Sequence, residues 1–176
     1  VKERYDCRTW CEYLLSRFGE GTDVVLDGVS MGATTVLMAS DKKIGLPSNV
    51  RAVIADCGFT SPWEIVCDVA KKTYGLSGKW ILEPFRLVTR LAAGFDLKGA
   101  SATEAVANAS LPIFFAHGSG DDFVPFSMSQ KNFEACSSEC RLFCAEGAGH
   151  GLSFLVEEAR YKAECMEFLG KFLQNQ

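Results

Sequence analysis

Residues 23–40, DVVLDGVSMGATTVLMAS, decide how the rest of the chain reads. The first seven, Asp23–Val29, are short, β-branched and bounded by glycine, which is the pattern of a strand. The last ten, Met31–Ser40, read as a helix with small residues on the side nearest that strand. Between them lies Gly28-Val29-Ser30-Met31-Gly32, a G-x-S-x-G at a strand-to-helix turn. Alone, such a pentapeptide says little, because glycine and serine are common. Its position gives it weight against the alternative of an ordinary glycine-rich turn. A turn tight enough to lift the Ser30 hydroxyl above the end of a sheet forces that residue into a strained backbone conformation. Side chains at 28 and 32 are expected to collide there, hence two glycines. The helix aims its first amides at the same point and favours negative charge, which makes the Met31 N–H an expected oxyanion donor.

The pattern continues outward. Tyr5, Trp10, Leu14 and Phe18 predict a helix over 2–18, stopped by Gly19 and Gly21. Val50–Asp56 reads as a second strand, 111–116 (LPIFFA) as a third and 141–145 (RLFCA) as a fourth. Residues 57–110 form a long helical excursion, with capping boxes at Ser61–Glu64 and Ser101–Glu104 and Pro62 at a first helical position. Helices are expected over 127–136 and 157–173. The alternation predicts parallel βαβ units: a single α/β domain over 1–176, its mostly parallel sheet flanked by helices on both faces.

Composition excludes several classes of function. At 48% hydrophobic and 23% charged residues the chain is globular rather than disordered. Eighteen basic against 22 acidic residues leave a net charge of −4, which argues against a nucleic-acid partner. No apolar run approaches the ~18 residues that cross a bilayer, so no membrane span is expected. The eight cysteines include Cys7/Cys11 and Cys136/Cys140/Cys144 in steps of four, with no CxxC pair. That spacing suits neither a metal nor a redox site, and reduced thiols in a cytoplasmic protein are expected. No cofactor is called for.

A serine nucleophile needs a base that titrates near neutrality, and the chain has two histidines. His150, in the flexible GAGHG loop at 147–151, is expected to lie over Ser30. His117, at the end of a strand, reads as a structural group that bonds the local loop. The acid that orients the imidazole should follow a strand at the same end of the sheet. Asp56, Asp121 and Asp122 all qualify; Asp121 is preferred, and Asp122 reads as a cap on the turn into Val124-Pro125.

Four segments in this order, GVSMG at 28–32, DCGFTSPWE at 56–64, HGSGDDFVP at 117–125 and GAGHG at 147–151, make the sequence resemble the α/β-hydrolase superfamily. Within it the chain looks like small bacterial prolyl-oligopeptidase-like and serine-aminopeptidase-like esterases. The resemblance implies acyl transfer to water on a small-molecule acyl substrate. Ser30 would be the nucleophile, His150 the base and Asp121 its partner. It also implies that 61–110 is a helical cap, where Trp63, Tyr74, Trp80, Phe85 and Phe95 are candidates to line a pocket. A peptidase and a non-catalytic remnant of the fold are the competing readings. In the superfamily the nucleophile follows the fifth strand, whereas here it follows the first. The chain therefore resembles the C-terminal part of such a fold, lacking a counterpart for the loop that supplies a second oxyanion N–H. On that reading the Ser30 strand is a sheet edge, and an upstream extension is expected to raise activity.

Overall fold

A computed structural model describes residues 1–76 and 78–173; Ser77, inside the expected cap, and 174–176 lie outside the described residues. The strands are β1 (Val24–Val29), β2 (Val50–Asp56), β3 (Ile113–Gly118) and β4 (Cys140–Ala145). They pair in the order β1-β2-β3-β4, and every pair is parallel. β1 has β2 as its one neighbour among the described residues, so the Ser30 strand is an edge as expected.

Alternation within the strands separates two cores. Val53, Ala55, Ile113 and Phe115 face one side, against α2 (Met31–Ala39) and α5 (Ala102–Val106). The first helix, α1 (Glu3–Phe18), joins that side through Cys11, which packs with Val24 and Val50. Ala52, Ile54, Phe114, Ala116 and Phe143 face the other side, against α8 (Glu158–Leu169). Phe114 is fully buried there, with the rings of Phe143, Tyr161 and Phe168 at 6.3, 5.7 and 5.8 Å. Burying a side chain of this size stabilises the fold by about 1.5–3 kcal/mol.

The excursion after β2 holds α3 (Pro62–Tyr74) and α4 (Glu83–Ala93). Both expected caps form: Ser61 Oγ accepts from the Glu64 N–H at 3.1 Å, and Ser101 Oγ from that of Glu104 at 3.2 Å. Gly75 and Gly94 close α3 and α4 with left-handed φ of 68° and 69°, conformations that cost a glycine nothing. Trp63, Ala70, Leu82 and Leu97 form a small core of their own beneath these helices.

Several boundaries differ from the sequence reading. The third strand starts at Ile113 rather than 111, because Pro112 has no N–H to donate. It then runs on to Gly118, where His117 and Gly118 pair with Cys144 and Ala145. The last helix was expected over 157–173 and is α8, Glu158–Leu169, which ends four residues early; a short α7 (Ser153–Val156), not foreseen, precedes it, and Glu157 (φ −125°, ψ 46°) separates the two. Helix α6 (Phe126–Ala135) falls one residue from its expected place. All eight cysteines are free thiols, three of them buried. No helix among the described residues is long and apolar enough to cross a membrane.

Candidate active site

Because every strand pair is parallel, the four loops that leave the carboxyl ends of the strands meet along one edge of the sheet. Ser30 follows β1 with φ 56° and ψ −113°, a conformation that residues other than glycine rarely adopt. Its N–H donates to the Asp56 carbonyl at 2.8 Å, which ties the turn to the end of β2. A Cβ on Gly28 would sit 2.4 Å from the Gly32 carbonyl carbon and 2.6 Å from the Ala33 nitrogen, so only glycine fits. The same expectation fails at Gly32, where a Cβ would meet nothing within 4 Å. The strand and helix close at Gly28 alone.

Ser30 is the N-cap residue of α2, yet its hydroxyl makes no capping bond. The hydroxyl lies instead 2.8 Å from His150 Nε2. Nδ1 of the same ring lies 2.8 Å from Asp121 Oδ2. A carboxylate only accepts, so Nδ1 carries the hydrogen and Nε2 is left to accept from Ser30. The Met31 N–H, at the first position of α2, has no intrahelical acceptor and stands in the first turn beside the serine. Of the three candidate acids, Asp121 is the one brought to His150. Asp122 is exposed, and its backbone carbonyl accepts from Lys72. Asp56 is buried and accepts from Ser153 Oγ at 2.8 Å; burial pushes its carboxyl above the usual range.

Asp121 itself is well held. Its Oδ1 accepts the N–H groups of Phe123 and Val124 at 3.0 and 2.9 Å. Its Oδ2 is also 3.1 Å from Nε2 of His117, a ring that is wholly buried. His117 Nε2 lies 2.9 Å from the Val124 carbonyl, which can only accept, so this nitrogen carries a hydrogen. Nδ1 then accepts from Ser129 Oγ at 2.7 Å. Burial lowers the His117 pKa and keeps the ring neutral. His117 thus bonds the local loop, as the sequence suggested. Its contact with Asp121 was not foreseen.

The loops that carry Asp121 and His150 dock backbone to backbone. A Cβ on Gly118 would meet the Ala148 carbonyl oxygen at 2.1 Å, and the Gly120 N–H donates to that oxygen at 3.0 Å. Sequence reasoning missed Gly118, although its place directly after His117 at a strand end was a legible sign of close approach. Cys57 is a second strained residue, with φ 48°. Its sulfur, a carboxylate oxygen of Asp121 and a ring nitrogen of His150 lie within 4.8 Å of one another. Both imidazole nitrogens are already hydrogen-bonded and burial pushes the thiol up to about 12, so the three donors do not make a ready metal site.

Beside Ser30 a cavity of 540 Å³ opens between α2 and the excursion. Phe59 and Phe123 border it from the loops, Ile65, Val66 and Val69 from α3, and Phe85 from α4. Of the five aromatic candidates, Tyr74 and Phe85 line this cavity. Trp63 and Phe95 pack into the small core below it, and Trp80 lines a separate groove over α4.

No protein-family model matches the sequence. The chain is 26% identical over 145 residues to YqkD of Bacillus subtilis, an uncharacterized protein, covering 82% of this chain and 47% of YqkD. Among solved structures it resembles the Pyrococcus furiosus esterase Pf2001, with TM-score 0.70 and 17% identity, over 98% of this chain and 62% of the esterase. A Mycobacterium tuberculosis puromycin-hydrolyzing peptidase matches with TM-score 0.69 and 17% identity, over 100% of this chain and 26% of the peptidase. The chain has the α/β-hydrolase fold. It spans about half the length of YqkD, the curated relative it matches. Within that fold Ser30 occupies the strand-to-helix turn, and the two loops at the ends of β3 and β4 bring Asp121 and His150 to it.

Proposed function

We propose that the protein is a serine hydrolase that cleaves a carboxylic ester or related acyl bond through an acyl-enzyme. The observation that carries this reading is the unbroken relay from Ser30 Oγ to His150 Nε2 and from His150 Nδ1 to Asp121 Oδ2, each step 2.8 Å. His150 takes the Ser30 proton as Oγ attacks the carbonyl carbon. Asp121 holds the imidazole in the tautomer that leaves Nε2 free to accept, and stabilises the charged ring that results. The Met31 N–H, with the positive end of α2 behind it, faces the developing oxyanion. The protonated His150 then gives its hydrogen to the leaving group, and water, activated by the same ring, releases the acid.

Two features beyond the relay support this assignment. Ser30 keeps a strained conformation and forgoes a capping bond, costs that a serine kept only for structure has no reason to bear. Further, a 540 Å³ cavity reaches the serine, within the ~300–1,000 Å³ typical of small-molecule sites. The structural neighbours include an esterase and a peptidase, which agrees with hydrolysis as the kind of reaction. A fluorophosphonate probe is the direct test. Labelling of the folded protein that disappears in Ser30→Ala is the expected result. Labelling that survives the substitution, or none in wild type, contradicts the assignment.

A further inference from the structure

The cavity beside Ser30 says what kind of acyl group the site takes. We propose that it receives an uncharged, apolar acyl chain of medium length, carried as an ester or thioester; this rests on the serine-hydrolase reading above. The first argument is the chemistry of its walls. Ile65, Val66, Val69, Leu82, Phe85 and Phe123 supply apolar surface, and no acidic, basic or imidazole side chain is among the described lining residues. Among the described lining residues the hydroxyls are those of Ser30 and Tyr74. An aminoacyl substrate would place its ammonium here with no counter-charge, and an unpaired buried charge is strongly disfavoured. Helix α3 shows the segregation directly: Ile65, Val66 and Val69 face this cavity, while Glu64, Asp68 and Lys71 line another one. The carboxylates that could pair with an ammonium are on the wrong side of the helix.

The second argument concerns orientation. His150 must reach the leaving group to protonate it, so the leaving group departs on the side of His150 Nε2. His150 is not among the described lining residues, and the Phe123 ring, 5.0 Å from the imidazole, borders the cavity on that side. The cavity is therefore on the acyl side of the scissile bond. The third argument is extent. The 540 Å³ cavity extends from Ser30 past Ile65 and Val69 to Tyr74 along α3, room for a chain of several carbons.

The reaction balances without any further component. Ser30 Oγ forms a bond to the acyl carbon as the bond from that carbon to the alcohol oxygen or thiol sulfur breaks. The serine proton passes through His150 to the leaving alcohol or thiol. Water then replaces Ser30, returning a proton to the serine and releasing the fatty acid.

The test varies the acyl chain on one leaving group, with p-nitrophenyl acetate, butyrate, hexanoate and octanoate, and adds alanine p-nitroanilide as the aminoacyl comparison. The expected result is a kcat/KM that rises by up to about fourfold per added methylene through octanoate, with the anilide far slower. Val69→Trp, which fills the cavity, is expected to lower the octanoate-to-acetate ratio at least tenfold. Should that variant fail to fold, the wild-type series decides alone. Rates that are flat with acyl length, that follow the length of the alcohol in acetate esters instead, or that favour the alanine anilide overturn the proposal while leaving the serine-hydrolase reading intact. No turnover of any ester together with no labelling of Ser30 overturns both.

Discussion

Strand β3 and the loop that leaves β4 each bring an imidazole to the same carboxylate oxygen. His117 stands 3.1 Å from Asp121 Oδ2 and His150 stands 2.8 Å from it, yet the two rings are placed for opposite tasks. His117 is fully buried, and both its nitrogens are committed to the fold, one to the Val124 carbonyl and one to Ser129. His150 has a side chain 27% exposed and directs its second nitrogen at Ser30. Two residues of one type, sharing one partner, are separated by their surroundings. A ring with no free nitrogen positions Asp121, whereas a ring with one nitrogen turned to a hydroxyl can move a proton.

That difference is open to attack from both sides. The largest expected effect is at the reacting ring: His150→Ala should lower kcat/KM for p-nitrophenyl acetate by about 10⁴-fold or more. Thermal stability should change little, because no buried group depends on this ring alone. A rate loss below about tenfold would erase the contrast. The next effect is at the buried ring. His117→Phe leaves the buried Val124 carbonyl without its imidazole donor, while Ser129 keeps the Gly58 carbonyl, and urea unfolding should show a loss of about 1–3 kcal/mol. Turnover should fall far less than in His150→Ala, since two backbone N–H groups still hold Asp121.

The buried ring also carries a pH signature. Burial lowers the His117 pKa from 6.5, so the unfolded chain takes up this proton before the folded one does. Stability is therefore complete above about pH 6.5 and is lost progressively as the pH falls toward the depressed folded value. Urea titrations on either side of that point should show the slope in wild type and a shallower one in His117→Phe. Equal slopes in both proteins would mean that His117 is not kept neutral by the fold.

Much of this arrangement was legible in the sequence, for reasons that differ by residue. Ser30 was legible because a short, β-branched strand pattern passes into a helix across five residues, and only a strained elbow joins them so quickly. Gly28 was legible from the same tightness. Gly32 was misjudged because the sequence records two glycines without showing that one of them faces open space. The sequence left Asp121 and Asp122 as neighbours on one loop; the backbone turn that gives Asp121 the N–H groups of Phe123 and Val124 separates them. Gly118 was missed because what it avoids, the Ala148 carbonyl, is thirty residues further along the chain. The cap aromatics illustrate the same point. Composition marks Trp63, Tyr74, Trp80, Phe85 and Phe95 alike, and only tertiary packing sends Trp63 and Phe95 to a core and Tyr74 and Phe85 to the cavity. Within its elements the sequence reports period and caps well, and it is silent on distances between loops.

The central claim is that Ser30 becomes covalently acylated and that His150 makes it do so. Intact-mass analysis after rapid acid quench, with p-nitrophenyl octanoate in excess, tests this most directly. The account predicts a single octanoyl adduct that peptide mapping places on Ser30, and that vanishes in both Ser30→Ala and His150→Ala. Turnover by the wild type with no adduct, an adduct that persists in His150→Ala, or an adduct that maps to a cysteine instead would contradict it.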